Sequence, residues 1–164
     1  MGLDDSAGPV GAQQQAQRQA IPKLEGVAYW PAAKLQGLAT GLKTKEHPVR
    51  AGERAASVYE QMGSHGRYSF LDGLRDGTTV PEAHAGIDDI FIVQEGEATL
   101  LYGGKVEGVP QVATGAMHGG HLVGAESVKL SPGDMIAVPG DVPHQMIVEK
   151  GKSITFLCIK VDNR

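Results

Sequence analysis

From residue 57 onward the sequence is broken so regularly that long helices have no room to form. Gly63, Gly66, Gly73, Gly77, Gly96, Gly103, Gly104, Gly133 and Gly151 fall at or near the breaks, and between them stand short apolar runs at 57–62, 68–74, 89–94, 98–102, 126–130, 135–138, 144–149 and 153–161. Glycine reaches positive φ without steric penalty, so breaks of this kind are turns. Short runs at this spacing read as strands of a sandwich or closed barrel. The 23 glycines and 9 prolines are spread along the chain rather than gathered in a periodic block, which agrees with many short elements and an all-β fold.

The first third reads differently. Pro31 suits the first turn of a helix over 32–43, with Leu35, Leu38 and Leu42 on one face. Gly37 and Gly41 weaken it, so it fits a strap on a larger body better than an independent unit. Residues 47–54, including His47, are charged and loop-like. Three parts are therefore expected: a disordered tail or added start at 1–20, an extension with a short helix at 21–54, and one core domain at 55–164. A chain of 164 residues suits one domain with its own core. No internal repeat marks a solenoid or propeller.

A net charge of −4 without a basic run argues against nucleic acid and against anionic membrane surfaces. No apolar run reaches membrane-spanning length and the first twenty residues lack the apolar core of an export signal, so a soluble chain is expected. The polar, Gln-rich opening MGLDDSAGPVGAQQQAQRQA leaves two addresses open: exported, if a leader was removed from the native start, or cytoplasmic. The single cysteine, Cys158, cannot form an internal disulfide. It lies in the apolar run ITFLCIKV and reads as a buried structural thiol. Glycine pairs at Gly103 and Gly119 lack a phosphate-loop context, and no serine stands in a nucleophile elbow.

The stretch 133–148, GDMIAVPGDVPHQMIV, carries the strongest functional signal. A short strand runs into a proline-braced turn that delivers His144 to the start of another strand. This stretch and EAHAGIDDIFIVQEG resemble the two motifs of the cupin superfamily, G-(x)5-H-x-H-(x)3,4-E-(x)6-G and G-(x)5-P-x-G-(x)2-H-(x)3-N. His84 fits the second histidine, Asp89 takes the glutamate position and Gly96 closes the first motif, while Glu82 stands where the first histidine belongs. In the second motif Gly133, Pro139 and His144 are in place, Asp141 replaces a glycine and Val148 an asparagine. The wording around both motifs is similar to a group of small bacterial cupins, many of them exported. The resemblance, over roughly 68–161, implies a cupin-type β-barrel (double-stranded β-helix, or jelly roll) around a small-molecule cavity. It also implies a divalent metal (Mn, Fe, Zn or Ni), a possible homodimer, and dioxygenase, isomerase or lyase chemistry. The alternative is a metal-free barrel for ligand binding, storage or sensing.

Chemistry points the same way from the residues alone. Two imidazoles and a carboxylate suit a first-row divalent ion and leave coordination positions open. His84, Asp89 and His144 form such a set, and the added carboxylates favour harder ions such as manganese or iron(II). Glu82 shares strand parity with His84 and suits either a fourth ligand or a proton-moving catalytic role. Asp88 replaces Asp89 if the strand slips by one, but Asp89 shares parity with Phe91 and Val93. Phe91, Val93, Met135 and Met146 are the expected wall of the cavity. His118 and His121 stand in a long connection over 103–124 that could close over the barrel mouth, and His65 reads as a surface residue near the rim.

Overall fold

The computed structural model describes residues 21–45, 57–108 and 116–164, with backbone alone for 116–118. The 1–20 segment, His47 and the domain start near Ala55 lie outside the described residues. The described chain is built almost wholly from antiparallel strands. They are β1 (Ser57–His65), β2 (Tyr68–Arg75), β3 (Glu82–His84), β4 (Ile87–Gly96), β5 (Ala98–Tyr102), β6 (Lys105–Glu107), β7 (Ala116–His118), β8 (His121–Val123), β9 (Glu126–Leu130), β10 (Met135–Val138), β11 (His144–Ile147) and β12 (Ile154–Asp162). One five-stranded sheet runs β1-β2-β12-β4-β10, a second runs β7-β3-β11-β5-β9, and β6 pairs with β8 as a separate ribbon. No helix among the described residues is long and apolar enough to cross a membrane.

Period-2 alternation directs one face of each sheet toward the other. Phe91 and Val93 from β4, Leu100 from β5, Met146 from β11, and Ile154 and Phe156 from β12 meet in one buried core. Gly73 lets the Phe156 ring lie against β2, since a Cβ there would stand 2.6 Å from the ring. Met135 departs from the expected wall. It is 70% exposed, because Ile136 and Val138 hold the inward parity of β10 and turn Met135 to the outside.

The described residues of the long connection form short strands. Lys105–Glu107 pairs with His121–Val123, and Ala116–His118 pairs with Glu82–His84. Strands of three residues are too short to carry a readable alternation, which is why β3 and these elements leave no sequence pattern.

The helix α1 (Ala32–Leu42) buries Leu42 against Val58 and Leu74 on the outer face of the first sheet, with Leu35 and Leu38 half-buried on the same side. Pro31 precedes this helix rather than joining its first turn. Its ψ of 150° is extended, and its carbonyl accepts from the Lys34 and Leu35 amides. Lys43 and Lys45, just past the helix, form ion pairs with Glu95 and Glu60. On this outer face Asp72 is fully buried, and neither of its carboxylate oxygens has a hydrogen-bond partner. Glu60 stands opposite it on β1, and the buried amide oxygen of Gln94 is also unpartnered.

Candidate functional site

Glu82, His84, Asp89 and His144 come together at one end of the barrel. Two loops bring them there. In the turn after β10, the Asp141 amide donates to the His84 carbonyl at 3.0 Å, and the Gly140 amide donates to Asp88 Oδ1 at 2.7 Å. Gly140 is needed for this approach, because a Cβ there would stand 2.8 Å from the Ile87 nitrogen. Asp141 holds a φ of 67°, the left-handed conformation glycine favours, and its carboxylate accepts from the Gly86 amide at 3.4 Å. The aspartate thus keeps the backbone of the motif's glycine and adds a side-chain tie to the facing loop. Asp88 is occupied with Gly140 and Asn163 on the outside, which leaves Asp89 as the inward carboxylate.

Nε2 of His84 lies 3.4 Å from Asp89 Oδ2 and 3.9 Å from Glu82 Oε2. Nε2 of His144 lies 3.5 Å from Glu82 Oε1 and 3.7 Å from Asp89 Oδ2. His144 is 3% exposed and Asp89 1%. The Nδ1 of His144 faces the Val142 carbonyl at 3.1 Å, which fixes a proton on Nδ1, so that the neutral ring directs its Nε2 lone pair into the cluster. Among the described residues, His144 Nε2 and Asp89 Oδ2 are buried without a hydrogen-bond partner. Orphaned acceptors facing one point are costly unless something positive joins them there. Ligands about 2.1 Å from a tetrahedral ion stand about 3.4 Å apart. The donor separations are close to that spacing, and Glu82, His84 and His144 form a group able to hold a metal ion.

Charge shapes the titration of the cluster. Burial, aided by the Lys160 ammonium, lowers the His84 pKa and favours the neutral ring that ligation requires. Burial acts in the same direction on His144, but the neighbouring Glu82 carboxylate outweighs it and raises its pKa. Burial would raise Glu82, yet His144, Arg75 and His84 together hold it well below the usual carboxylate range.

Two inward residues of β12 complete the site, and sequence reasoning missed one of them. Lys160 Nζ is 2.5 Å from Asp89 Oδ1, and the Cys158 thiol points to the same oxygen at 3.8 Å. Ile154, Phe156, Cys158 and Lys160 share one parity, so the alternation did contain the signal. Burial pushes the Cys158 thiol up to about 12. Cys158 in the folded protein is therefore expected to react with iodoacetamide at pH 8 at least about tenfold more slowly than in denaturant. Rapid native labelling followed by mass spectrometry would contradict this burial.

His121 is exposed and lies 3.7 Å from Glu107 on the ribbon, away from the cluster, and His65 is exposed at the end of β1. The backbone of His118 stands opposite Glu82. A cleft of about 370 Å3 is lined by Tyr102, Ile136, Ala137, Val138, Pro139 and Val142; Val142 is also the residue whose carbonyl faces His144 Nδ1.

No protein-family model and no curated protein matches the sequence. Solved structures do match the fold. An uncharacterized conserved protein with a double-stranded β-helix domain from Klebsiella pneumoniae is 12% identical, with a TM-score of 0.51 over 85% of this chain and 93% of that one. The double-stranded β-helix is the cupin architecture. This chain has that fold. The polyketide cyclase RemF from Streptomyces resistomycificus is 17% identical, with a TM-score of 0.48 over 67% of each chain. The Cupin_2 domain of an XRE family transcriptional regulator from Enterobacter cloacae is 15% identical, with a TM-score of 0.45 over 66% of this chain and 98% of that one.

Proposed function

We propose that this protein is a member of the cupin superfamily that holds a divalent first-row cation between the Nε2 atoms of His84 and His144 and the carboxylates of Asp89 and Glu82, and uses it on a small organic molecule. The observation that carries this reading is the pair of buried, unpartnered acceptors, His144 Nε2 and Asp89 Oδ2, aimed at the same point. Such an ion supplies Lewis acidity for isomerase or lyase chemistry and open positions for oxygen-dependent chemistry.

The two carboxylates have different freedom. Asp89 is held by Lys160 and Cys158 and is 1% exposed, so it suits a fixed ligand. Glu82 has a side chain 22% exposed, so it is the carboxylate able to accept or return a proton to a bound molecule. The apolar cleft beside Val142 is of a size that accepts a small organic ligand.

A second reading, a metal-free binding barrel, has one observation in its favour: Lys160 already neutralises Asp89 without any ion. Elemental analysis of protein purified without added metal separates the two. Near-stoichiometric metal in the wild type and its depletion in His84→Ala are expected. A metal-free wild type that keeps its fold after chelation contradicts the metal reading and leaves the binding barrel.

A further inference from the structure

We propose that Lys160 determines the specificity of this site, and that the molecule it admits carries a carboxylate or another singly charged anionic oxygen group. The inference rests on the metal-holding reading above.

An ammonium group has three donors. Asp89 Oδ1 accepts one of the three from Lys160, and among the described residues no second acceptor meets it. The Lys160 side chain is 28% exposed although its partner Asp89 is 1% exposed, so the remaining donors have access from the barrel mouth. Register fixes the direction. Lys160 pairs with Asp89 on one side and Ser69 on the other, one same-parity pair in from the terminal Asp162–Ile87 pair of β12 and β4. The carboxylate that binds this ammonium through Oδ1 turns Oδ2 toward the two imidazoles, so Lys160 lies one carboxylate away from the cluster centre.

Charge balance gives the sign of the ligand. With neutral imidazoles, Glu82 and Asp89 contribute two negative charges and Lys160 one positive charge. A divalent ion turns the net −1 of this group into +1. A partly buried site with an unbalanced positive charge favours an anion, and charged hydrogen bonds from an ammonium are the stronger kind. A lysine serving Asp89 alone needs neither access nor spare donors.

The test uses the full chain loaded with Co2+, whose visible absorption reports a ligand entering the coordination shell, titrated at constant ionic strength with acetate and with its neutral isostere acetamide. Acetate is expected to perturb the spectrum and acetamide to leave it unchanged. Lys160→Met is expected to keep its Co2+ and weaken acetate by at least about tenfold, whereas Lys160→Arg stays close to wild type. Equal acetate affinity in Lys160→Met, equal response to acetamide, or no response of the wild type to acetate overturns the proposal. Loss of Co2+ or of fold in Lys160→Met, with Lys160→Arg binding acetate no better than the neutral probe, also overturns it and leaves Lys160 as a partner of Asp89 only. Failure of the wild type to take up Co2+ overturns the metal reading itself, so Co2+ content and acetate response report on the two ideas separately.

Discussion

Replacing Asp72 with asparagine is expected to raise the melting temperature at pH 8 and to raise it less than half as much at pH 5. Asp72 is fully buried beneath the face that carries α1, with both oxygens unpartnered. Burial pushes its carboxyl up from 3.8 to about 7, against opposing contributions from Gln94 and the Gly73 backbone and with help from the nearby charge of Glu60. Lys45 faces Glu60, and Lys43 faces Glu95, so these exposed acids carry their own counterions. The folded state therefore keeps a proton that the unfolded chain has released. Stability from this group is complete below about pH 4 and is lost as pH rises toward 7. At about 1.4 kcal/mol per pH unit, the loss approaches about 4 kcal/mol by pH 8, as an upper bound. Asparagine cannot ionise, so the variant escapes it. Thermal melts of both proteins at the two pH values check this, and a difference that does not vary with pH would contradict it.

His144→Ala is expected to weaken divalent-cation affinity by more than about 100-fold, beyond the usual effect of altering a ligand's outer partners. The substitution removes the donor whose Nε2 lies between Glu82 and Asp89, and leaves two carboxylates facing each other across the space. It also removes the ring that packs edge-on against Phe91 at 6.0 Å, so some loss of thermal stability accompanies the loss of metal. Competition against a chelator of known affinity measures the first effect, and circular dichroism shows that the barrel is retained. Unchanged affinity in a folded variant would remove His144 from the ligand set.

The parts of this molecule that were legible in the sequence are those where a period of two runs long enough to count. The runs at 98–102, 126–130 and 135–138 coincide with β5, β9 and β10, because each is bounded by turn residues. The same alternation set His144 on one face with Met146 and Val148, all of which are buried, and chose Asp89 over Asp88. It fails for elements of three residues. β3, β7 and the β6–β8 ribbon owe their existence to the neighbours they pair with, and a single sequence does not display those neighbours.

Met135 and Lys160 show the other failure. Met135 was assigned to the wall by residue type although parity turns it outward, and the charged Lys160 drew no assignment although parity turns it inward to Asp89. The Asp141 substitution was legible as a departure from the motif, but its harmlessness to the backbone was not. That depends on a φ of 67° that aspartate tolerates and on a contact with Gly86 that only the folded loop provides.

The most direct measurement of the central claim is X-ray absorption spectroscopy at the edge of the metal bound to the wild-type protein. Two imidazole nitrogens per ion together with carboxylate oxygen, as His84, His144, Asp89 and Glu82 would supply, is the expected first shell. An ion surrounded by oxygen alone, with no imidazole scattering, would contradict it.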